Sequence, residues 1–236
     1  MILFWPKMFS KIVSGFLEIF FPFSCHVCRS ASSFGIVICE KCKERLEAQI
    51  SEPFRITDVS SRCPIWSLGI YEDVLSKVIK SIKYKPSLKL ISEIFPRVQA
   101  VLTLQRVLEF PDVVVPVPLH FKRERKRGFN QAFLLGEMIS KTCGASFSPI
   151  LQRIRETTPQ ADCDENQRAT NLLGAFSLAE GVISSIFRGK KIWLVDDVST
   201  TGATMDNCAE VLLPLKLSSL NAIVLAHSPK VFGARL

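Results

Sequence analysis

Residues 192–204 combine a strand-like apolar stretch with side chains that bind phosphates and sugars. The run reads I-W-L-V-D-D-V-S-T-T-G-A-T, so two adjacent carboxylates follow four apolar residues. Carboxylates only accept hydrogen bonds, which suits Asp196 and Asp197 to the vicinal hydroxyls of a sugar. In open parallel sheets, ligands lie beyond the carboxyl ends of the strands, where this pair would fall. A capped helix with solvated acids would explain a lone T-T-G, but it explains the whole run poorly.

The turn after the acids supplies groups that bind a phosphate. Its backbone N–H groups would point to the start of a predicted helix, whose dipole favours an anion. A glycine in the turn allows a close backbone approach that a side chain would block. The sequence contains neither G-x4-G-K-[ST] nor G-x-G-x-x-G, so this is not a Walker loop or a Rossmann fingerprint. The predicted phosphate loop consists of Ser199, Thr200, Thr201, Gly202, Ala203 and Thr204.

This run resembles the motif that binds phosphoribosyl pyrophosphate (PRPP) in type I phosphoribosyltransferases. The resemblance implies that Asp196 and Asp197 hold the ribose 2′- and 3′-hydroxyls, that the loop binds the 5′-phosphate, and that Mg²⁺ accompanies PRPP. Purine-salvage members carry an acid at the position of Ser199, where it acts as a base toward the nucleobase. Ser199 cannot do this unaided, so the resemblance does not extend to 6-oxopurine salvage.

A strongly basic segment follows a second strand-like stretch, so it can face the same crevice as Asp196. Residues 115–131 read V-P-V-P-L-H-F-K-R-E-R-K-R-G-F-N-Q, in which five basic residues against one acid leave four net positive charges. Pyrophosphate, a nucleic-acid backbone or both would suit such a loop. The alternative is a solvated charge run. Lys122 contributes to this charge. The predicted anion-binding residues are Arg123, Arg125, Lys126, Arg127, Gly128, Asn130 and Gln131.

The middle of the chain carries further hydrogen-bonding side chains between two strand-like stretches. Residues 151–176 contain R-I-R-E-T-T-P-Q and, later, N-Q-R-A-T-N-L-L-G-A-F. Taken alone, this would be an ordinary polar loop. Its candidate ligand contacts are Arg153, Arg155, Gln160, Arg168 and Asn171.

Four of the eight cysteines form two close pairs. Cys25 and Cys28 are separated from Cys39 and Cys42 by ten residues, and each pair has the spacing C-x2-C. Four thiolates at this spacing suit one tetrahedral, structural zinc ion, since no ligand position is left for water. The alternative is redox-active or merely buried cysteine. The other four, Cys63, Cys143, Cys163 and Cys208, are interpreted as small buried apolar residues.

Together, these motifs resemble the ComF family of competence-associated, phosphoribosyltransferase-like proteins, which is related to the GntX proteins. V-P-V-P, R-G-F-N-Q-A, R-x-R-x-T-x-x-Q, R-x-x-N-x-x-G-A-F and L-V-D-D-V-x-T-T-G-A-T occur in the order expected of that family. The resemblance runs from about residue 25 to residue 226. It implies a flexible loop over the site in mid-chain, an N-terminal zinc module, and a part in DNA uptake during natural transformation alongside competence-machinery proteins.

The pattern of elements predicts an α/β fold, a type I phosphoribosyltransferase-like parallel sheet flanked by helices. Strands are expected at residues 112–117, 150–155, 174–178, 191–195 and 221–226, and helices at 74–83, 88–108 with a break near Pro96, 130–143 and 203–213. Strands that alternate with helices form parallel sheets covered on both faces. The predicted segments are an apolar helix at 1–22, the zinc module at 23–48, a linker at 49–65 and the phosphoribosyltransferase-like domain at 66–236.

Composition and charge restrict the function classes further. The chain has 236 residues, 47% of them hydrophobic, and a net charge of +8, which favours anionic partners. The cysteine usage indicates a reducing, cytoplasmic compartment. Lys7, Lys11 and Glu18 interrupt the apolar N-terminal run, which argues against a signal peptide or a membrane span. Residues 1–22 are expected to pack on their own domain, with peripheral contact at the inner face of the membrane as the alternative.

Two functions follow from these motifs. The first is an enzyme, a phosphoribosyltransferase (glycosyltransferase), or a PRPP sensor linked to DNA uptake. The second is a non-catalytic competence factor that binds single-stranded DNA through charge and aromatic stacking. For the second, the candidate contacts beyond the basic loop are Phe121, Phe129, Lys80, Lys83, Tyr84 and Lys85, although the last four also fit the solvated face of a helix.

Overall fold

The computed structural model describes residues 24–32, 36–57, 59, 61–84, 88–155 and 174–228. Its α-helices are α1 (Glu40–Gln49), α2 (Asp73–Tyr84), α3 (Leu88–Leu104), α4 (Phe121–Arg127), α5 (Gln131–Cys143) and α6 (Ala203–Leu212). Its strands are β1 (Phe54–Arg55), β2 (Ile65–Ser67), β3 (Val113–Pro116), β4 (Ser146–Phe147), β5 (Leu151–Arg153), β6 (Phe176–Leu178), β7 (Lys191–Ser199) and β8 (Ser219–His227). Two short 3-10 helices span Ser184–Phe187 and Leu213–Leu215.

Six strands form the main sheet, in the order β1-β2-β8-β7-β3-β4. All neighbouring pairs are parallel except β1 and β2, which are antiparallel. Helices cover both faces, since α5 packs on β3 and β7 while α6 packs on β7. The predicted α/β fold with a mostly parallel, helix-flanked sheet is therefore confirmed.

The two central strands are buried on both faces, as their sequences require. In β7, Ile192, Trp193, Leu194 and Val195 are all at most 1% exposed. Continuous apolar runs of this kind are typical of parallel strands covered by helices. The strand then continues through Asp196 and Asp197 to Ser199, paired along its length with β8. The predicted strand at 191–195 is thus longer than expected, and the two acids lie within it.

Several predicted helices are confirmed, and their ends follow the capping residues. In α5, the Asn130 side chain accepts a hydrogen bond from the backbone of Ala132, and Gly144 ends the helix in the left-handed conformation. Helix α3 differs from the prediction, because it continues through Pro96 and ends at Leu104. A proline removes one backbone donor, and the buried apolar face of α3, with Leu90, Ile94, Val98 and Leu102, outweighs that loss.

Two other segments differ from the prediction. The basic segment expected to be a loop forms helix α4, because lysine, arginine and glutamate are strong helix formers. Residues 49–65, predicted to be an irregular linker, contain β1 and the beginning of β2. These two strands extend the main sheet beyond β8, so this segment helps to build the sheet.

The four-cysteine segment packs against the rest of the protein. Val27, Ile38 and Leu46 share one buried core cluster with Ile79 of α2 and Ile94 of α3. An ion pair between Arg45 and Asp73 and a 3.3 Å contact between His26 Nδ1 and Ser81 Oγ add polar links to α2. The cysteine module is therefore held by the same core that supports α2.

The predicted N-terminal helix at 1–22 lies outside the described residues. Within the part of the chain that the structure describes, no helix has the length and apolar character needed to cross a bilayer.

Candidate functional site

The predicted phosphate loop lines a cleft at the carboxyl end of β7. Asp196 and Val198 to Met205 surround an open space of about 240 Å³. At Gly202, φ is +77°, a conformation that favours glycine, and a Cβ atom would lie in tight contact, 3.3 Å from Ile65 and Val59. Helix α6 begins at the next residue, and its N-terminal dipole faces the loop.

Ser199 lines this cleft, and its side chain is buried. The residue is 4% exposed, and its Oγ has no hydrogen-bond partner among the described residues. Its backbone carbonyl is occupied, because it accepts from Ser228 N (2.9 Å) and from His227 Nδ1 (3.1 Å). A buried hydroxyl without a partner costs free energy unless a ligand completes it. The loop is therefore shaped to hydrogen-bond a group that enters the cleft.

The two adjacent acids face different clefts. Successive side chains of a strand point to opposite faces of the sheet. Asp196 lines the phosphate-loop cleft, whereas Asp197 lines an apolar pocket on the α5 side. There, Asp197 Oδ1 forms a 3.0 Å ion pair with Lys83 Nζ of α2. Asp196 and Asp197, which were predicted to hold one ribose together, thus line two different clefts.

Removal from water, followed by the negative charge of Asp197, raises the pKa of Asp196 to about 7. A hydrogen bond from the backbone of Asp197 to Asp196 Oδ1 (2.8 Å) and the charges of Lys83 and Arg153 act in the opposite direction. Around neutral pH this carboxyl group can therefore both accept and release a proton.

Strands β5 and β6 pair antiparallel in a separate two-stranded sheet, and Arg153 of β5 brings positive charge close to Asp196. Its guanidinium lies 5.3 Å from the ring centre of Phe176. Burial, followed by the charge of Arg123, lowers the pKa of Arg153, while Asp196 and Cys208 act against this. Arg153 thus interacts electrostatically with both Arg123 and Asp196, and its contact with a ligand stays a prediction. Arg155 lies two residues further on, and Gln160, Arg168 and Asn171 fall outside the described residues.

Helix α4 divides its basic side chains between two directions. Arg123 and Arg127 are half-buried, and Arg127 donates a 3.3 Å hydrogen bond to Gln131 Oε1. The other members, Lys122, Arg125 and Lys126, are exposed. Phe121 is 64% exposed at the start of the helix, although its ring lies 4.6 Å from that of His120. Arg123 lies close enough to Arg153 for their charges to interact, and the outward residues form a basic surface with an aromatic ring at one end.

The residues after α4 fix its connection to the sheet. Gly128 ends the helix at φ +82°. Asn130 Nδ2 donates to the Val117 carbonyl (2.9 Å), while Asn130 Oδ1 accepts from Ala132 N (3.0 Å). Asn130, predicted to bind an anion, thus ties the end of β3 to the start of α5, so in this structure its side chain has a positioning role.

Two residues near the site, Lys83 and His120, were not predicted to belong to it. Lys83 was considered as a nucleic-acid contact, but it pairs with Asp197, 114 positions along the chain. His120 is 5% exposed, and its Nδ1 has no partner in the described part of the chain. Its carbonyl accepts from Arg123 N (2.8 Å), so it begins α4. A single histidine after V-P-V-P-L has no spacing pattern that would have identified it.

The four paired cysteines come together as predicted. Their sulfur atoms all lie within 4.8 Å of one another, and the Cys28 and Cys39 sulfurs are 3.7 Å apart. Cys25 Sγ accepts from the backbone of Val27 and of Cys39, each at 3.4 Å. A hydrogen bond from Ser30 lowers the pKa of Cys28 to about 6. Four sulfurs at this spacing, one of them favoured as thiolate, can hold a metal ion.

The remaining cysteines are placed largely as expected. Cys63 and Cys208 are buried and Cys143 is half-buried, while Cys163 lies outside the described residues. Burial raises the pKa of Cys63 and of Cys143 to about 11, so these thiols stay protonated and unreactive at neutral pH.

Three curated proteins show what the sequence is similar to. Competence protein F of Haemophilus influenzae is 34% identical over 122 residues, about half of each protein, with 51% of this chain and 52% of that one covered. The DNA utilization protein YhgH of Salmonella typhimurium is 31% identical over 201 residues, covering 80% and 83%. Competence protein ComFC of Bacillus subtilis is 26% identical over 216 residues, covering 81% and 84%. No protein-family model matches the chain.

Two solved phosphoribosyltransferase structures overlap loosely with this chain. The adenine phosphoribosyltransferase of Saccharomyces cerevisiae is 14% identical, with a TM-score of 0.38 over 79% of this chain and 90% of that one. The hypoxanthine phosphoribosyltransferase of Staphylococcus aureus is 18% identical, with a TM-score of 0.37 over 63% and 71%. The α/β fold of this chain is given by its own sheet topology.

Proposed function

Since this chain belongs to the ComF family, we propose that it binds PRPP together with Mg²⁺ in the phosphate-loop cleft and transfers or senses its phosphoribosyl group. The relatives' names, competence protein and DNA utilization protein, support a setting in DNA uptake. In that setting, the proteins of the competence machinery are the expected partners.

The observation that carries this proposal is the buried Ser199 hydroxyl, which has no partner among the described residues. It lies in the loop that begins α6, beside Gly202, whose backbone conformation leaves room for a close approach. A 5′-phosphate would accept a hydrogen bond from Ser199 Oγ and from N–H groups at the start of α6. Asp196, in the same cleft, would accept from a ribose hydroxyl.

The inward arginines supply the charge that phosphoribosyl transfer needs. When the bond from the ribose C1 to the pyrophosphate oxygen breaks, its electron pair leaves with the pyrophosphate. Arg153, which interacts electrostatically with both Arg123 and Asp196, would stabilise this developing negative charge together with Arg123. Mg²⁺ bound with PRPP would neutralise part of the phosphate charge. The contribution of the chain is thus positioning and electrostatic stabilisation.

Calorimetric titration of PRPP in the presence of Mg²⁺ tests the site. We expect saturable binding to the wild type and a loss of at least about a hundredfold in affinity in the Asp196→Ala/Asp197→Ala variant, because the carboxylate that lines the cleft and the one next to it in β7 are both removed. The control is Glu109→Ala/Glu210→Ala, which removes the same charge from two exposed side chains and should bind like the wild type. Equal binding by all three proteins, or by none, would overturn PRPP binding in this cleft.

We also propose that the cysteine cluster holds one structural zinc ion. The donor set supports this, because Cys25, Cys28, Cys39 and Cys42 offer four sulfurs, and zinc bound by four thiolates is tetrahedral. The ion would supply no catalytic chemistry there, since the four sulfurs complete its coordination.

A second candidate function, binding of single-stranded DNA, is favoured by the outward face of α4. The exposed Phe121 ring and the three exposed basic side chains Lys122, Arg125 and Lys126 lie within two turns of one helix. Aromatic stacking with neighbouring positive charge is how proteins bind single strands without reading sequence.

Replacing Lys122, Arg125 and Lys126 together with alanine is expected to weaken binding of a fluorescent oligothymidine about tenfold or more and to flatten its salt dependence. Fluorescence anisotropy at several salt concentrations measures both. Asp196→Ala/Asp197→Ala serves as the comparison and should retain DNA binding, since it leaves α4 intact. DNA affinity that is unchanged in the triple variant would assign binding to another surface.

A further inference from the structure

We propose that the amino end of the main sheet is a membrane-docking surface, which binds the headgroups and the outer acyl layer of an anionic bilayer. The surface consists of residues 104–112, 183–191 and 213–219, which lie ahead of β3, β7 and β8 or at the start of these strands. We call it the amino-end surface. It is separate from residues 1–22, to which the sequence assigns membrane contact as an alternative, and the proposal does not depend on PRPP binding.

Backbone hydrogen bonds hold the three segments of this surface side by side. Asp112 N donates to the Lys191 carbonyl (2.9 Å), which ties the first segment to the second. Ser218 N donates to the Lys190 carbonyl (2.9 Å), which ties the second segment to the third. The two 3-10 helices, one in each of the last two segments, also pack against each other. The chain ahead of three adjacent strands therefore forms one continuous surface.

Large apolar side chains are exposed on this surface. Two core residues, Phe187 and Leu215, are at most 5% exposed and already fill the space below the two 3-10 helices. The side chains above them are not needed to complete the core. Clusters of exposed apolar residues mark surfaces that contact a membrane or another protein. Five apolar residues of the amino-end surface are between 42% and 64% exposed, namely Val107, Phe110, Ile183, Ile186 and Leu213.

The amino-end surface also has a positive charge that matches an anionic bilayer. Its segments hold five basic residues against two acidic ones, which leaves three net positive charges. Lys191 engages both acids, since its Nζ lies 3.2 Å from Glu109 Oε2 and its backbone N donates to Asp112 Oδ2 (2.8 Å). The other four basic residues are exposed and form no ion pair among the described residues, namely Arg106, Arg188, Lys190 and Lys216. Each such cation strengthens binding to an anionic leaflet.

The chemistry of the apolar side chains favours a bilayer over a nucleic acid. Four of the five are aliphatic, so they can enter the acyl layer but cannot stack on bases. The basic side chains beside them are long enough to reach the headgroups while their stems lie along apolar groups. The outward face of α4 differs, because its exposed apolar residue is the aromatic Phe121. The two basic surfaces of the chain thus suit different anions.

Docking through the amino-end surface would leave the phosphate-loop cleft accessible. Lys191 begins β7 and Ser199 ends it, so the two residues lie roughly 26 Å apart at about 3.3 Å per residue. The cleft and α4 both follow the carboxyl ends of strands, β7 and β3 respectively. Both would therefore face away from the bilayer.

Flotation of the full chain with lipid vesicles tests this proposal. One set of vesicles contains equal amounts of phosphatidylglycerol and phosphatidylcholine, and the other contains phosphatidylcholine alone. The wild type is expected to float with the anionic vesicles, to release from them as salt is added, and to bind the neutral vesicles at least about tenfold more weakly.

Removing the charge of the surface should weaken this binding. The variant Arg188→Gln/Lys190→Gln/Lys216→Gln is expected to lower the partition coefficient on anionic vesicles at least about tenfold. Its matched control removes the same charge from three exposed lysines of α2 and α3 and should stay within about twofold of the wild type. This control is Lys77→Gln/Lys80→Gln/Lys89→Gln.

Removing the apolar side chains should weaken binding without any change in net charge. The variant Ile183→Ser/Ile186→Ser/Leu213→Ser is also expected to lower the partition coefficient at least about tenfold, because less apolar area enters the bilayer. Its control, Ile36→Ser/Ile154→Ser, replaces exposed aliphatic residues outside the amino-end surface and should float like the wild type. Thermal unfolding within a few degrees of the wild type checks that each variant is folded.

The proposal is overturned if the wild type stays unbound with anionic vesicles, which would leave a protein as the partner of this surface. It is equally overturned if neutral vesicles bind as tightly, or if the charge variant floats like its lysine control. Should the apolar variant unfold, the charge variant and its control decide the outcome alone. The calorimetry with PRPP uses no lipid, so the two proposals fail separately.

Discussion

Replacing Asp196 with asparagine is expected to stabilise the protein at pH 8 while weakening PRPP binding at least tenfold. Burial, followed by the charge of Asp197, raises the pKa of Asp196 from 3.8 to about 7. Between these pH values the folded chain keeps a proton that the unfolded chain has released. Stability therefore falls as the pH rises through this window. Asparagine cannot ionise, so the variant escapes this loss.

The gain in the free energy of unfolding should be larger at pH 8 than at pH 5 by roughly 2 to 3 kcal/mol, because about two pH units separate pH 5 from the raised pKa. Urea denaturation of both proteins at the two pH values measures it. Glu210→Gln, which removes an exposed carboxylate of α6, should change stability by less than about 0.5 kcal/mol at either pH. A gain that is equal at pH 5 and pH 8 would contradict a raised pKa at Asp196.

Replacing Cys42 with serine is expected to lose the zinc ion and to lower the free energy of unfolding by at least about 4 kcal/mol. Cys42 is 3% exposed and belongs to the core cluster that also contains Ile79 and Ile94. Because binding of a structural metal is coupled to folding, losing one of four ligands removes most of that stabilisation. Metal analysis should give one zinc per wild-type chain, and thermal unfolding should show a lower midpoint for the variant.

Cys143→Ser is the matched control for this experiment. Cys143 is half-buried at the end of α5 and lies outside the four-cysteine cluster. Its variant should keep one zinc per chain and unfold within a few degrees of the wild type. A Cys42→Ser protein with a full zinc content would mean that the cluster does not bind the ion through this sulfur.

The central elements could be predicted because their local signals are strong. The apolar run ahead of Asp196 predicted β7, and Asn130 and Gly144 marked the two ends of α5. The C-x2-C spacing predicted that the four cysteines lie together, and the structure places their sulfurs within 4.8 Å of one another. Each of these patterns involves residues that are close to one another in the sequence, so it can be recognised without knowledge of the fold.

The elements that differ from the prediction have weak or conflicting local signals. Strands β1 and β2 have two and three residues, which is too short for an alternating pattern to be recognised. Helix α4 has no apolar face, and its charges were interpreted as a loop. Aspartate is rare in strands, so β7 was expected to end before Asp196.

The site itself depends on contacts between distant parts of the chain. Asp196 and Asp197 were expected to hold one sugar together, but the alternation of side chains along β7 turns them toward separate clefts. The pairing of Lys83 with Asp197 and the unpartnered amide of Gln131 follow from how α2 and α5 pack. Neither feature has a spacing pattern in the sequence.

The two borders of the main sheet are short, and this affects how the chain meets other copies of itself. Strand β1 ends the sheet on one side with Phe54 and Arg55, and β4 ends it on the other with Ser146 and Phe147. A long border strand offers a row of free backbone groups to which a neighbouring molecule can add, and this is a common route to aggregation. Two-residue borders offer few such groups, and the exposed charge of Arg55 repels an identical strand. We therefore expect this sheet to resist intermolecular strand addition even at high protein concentration.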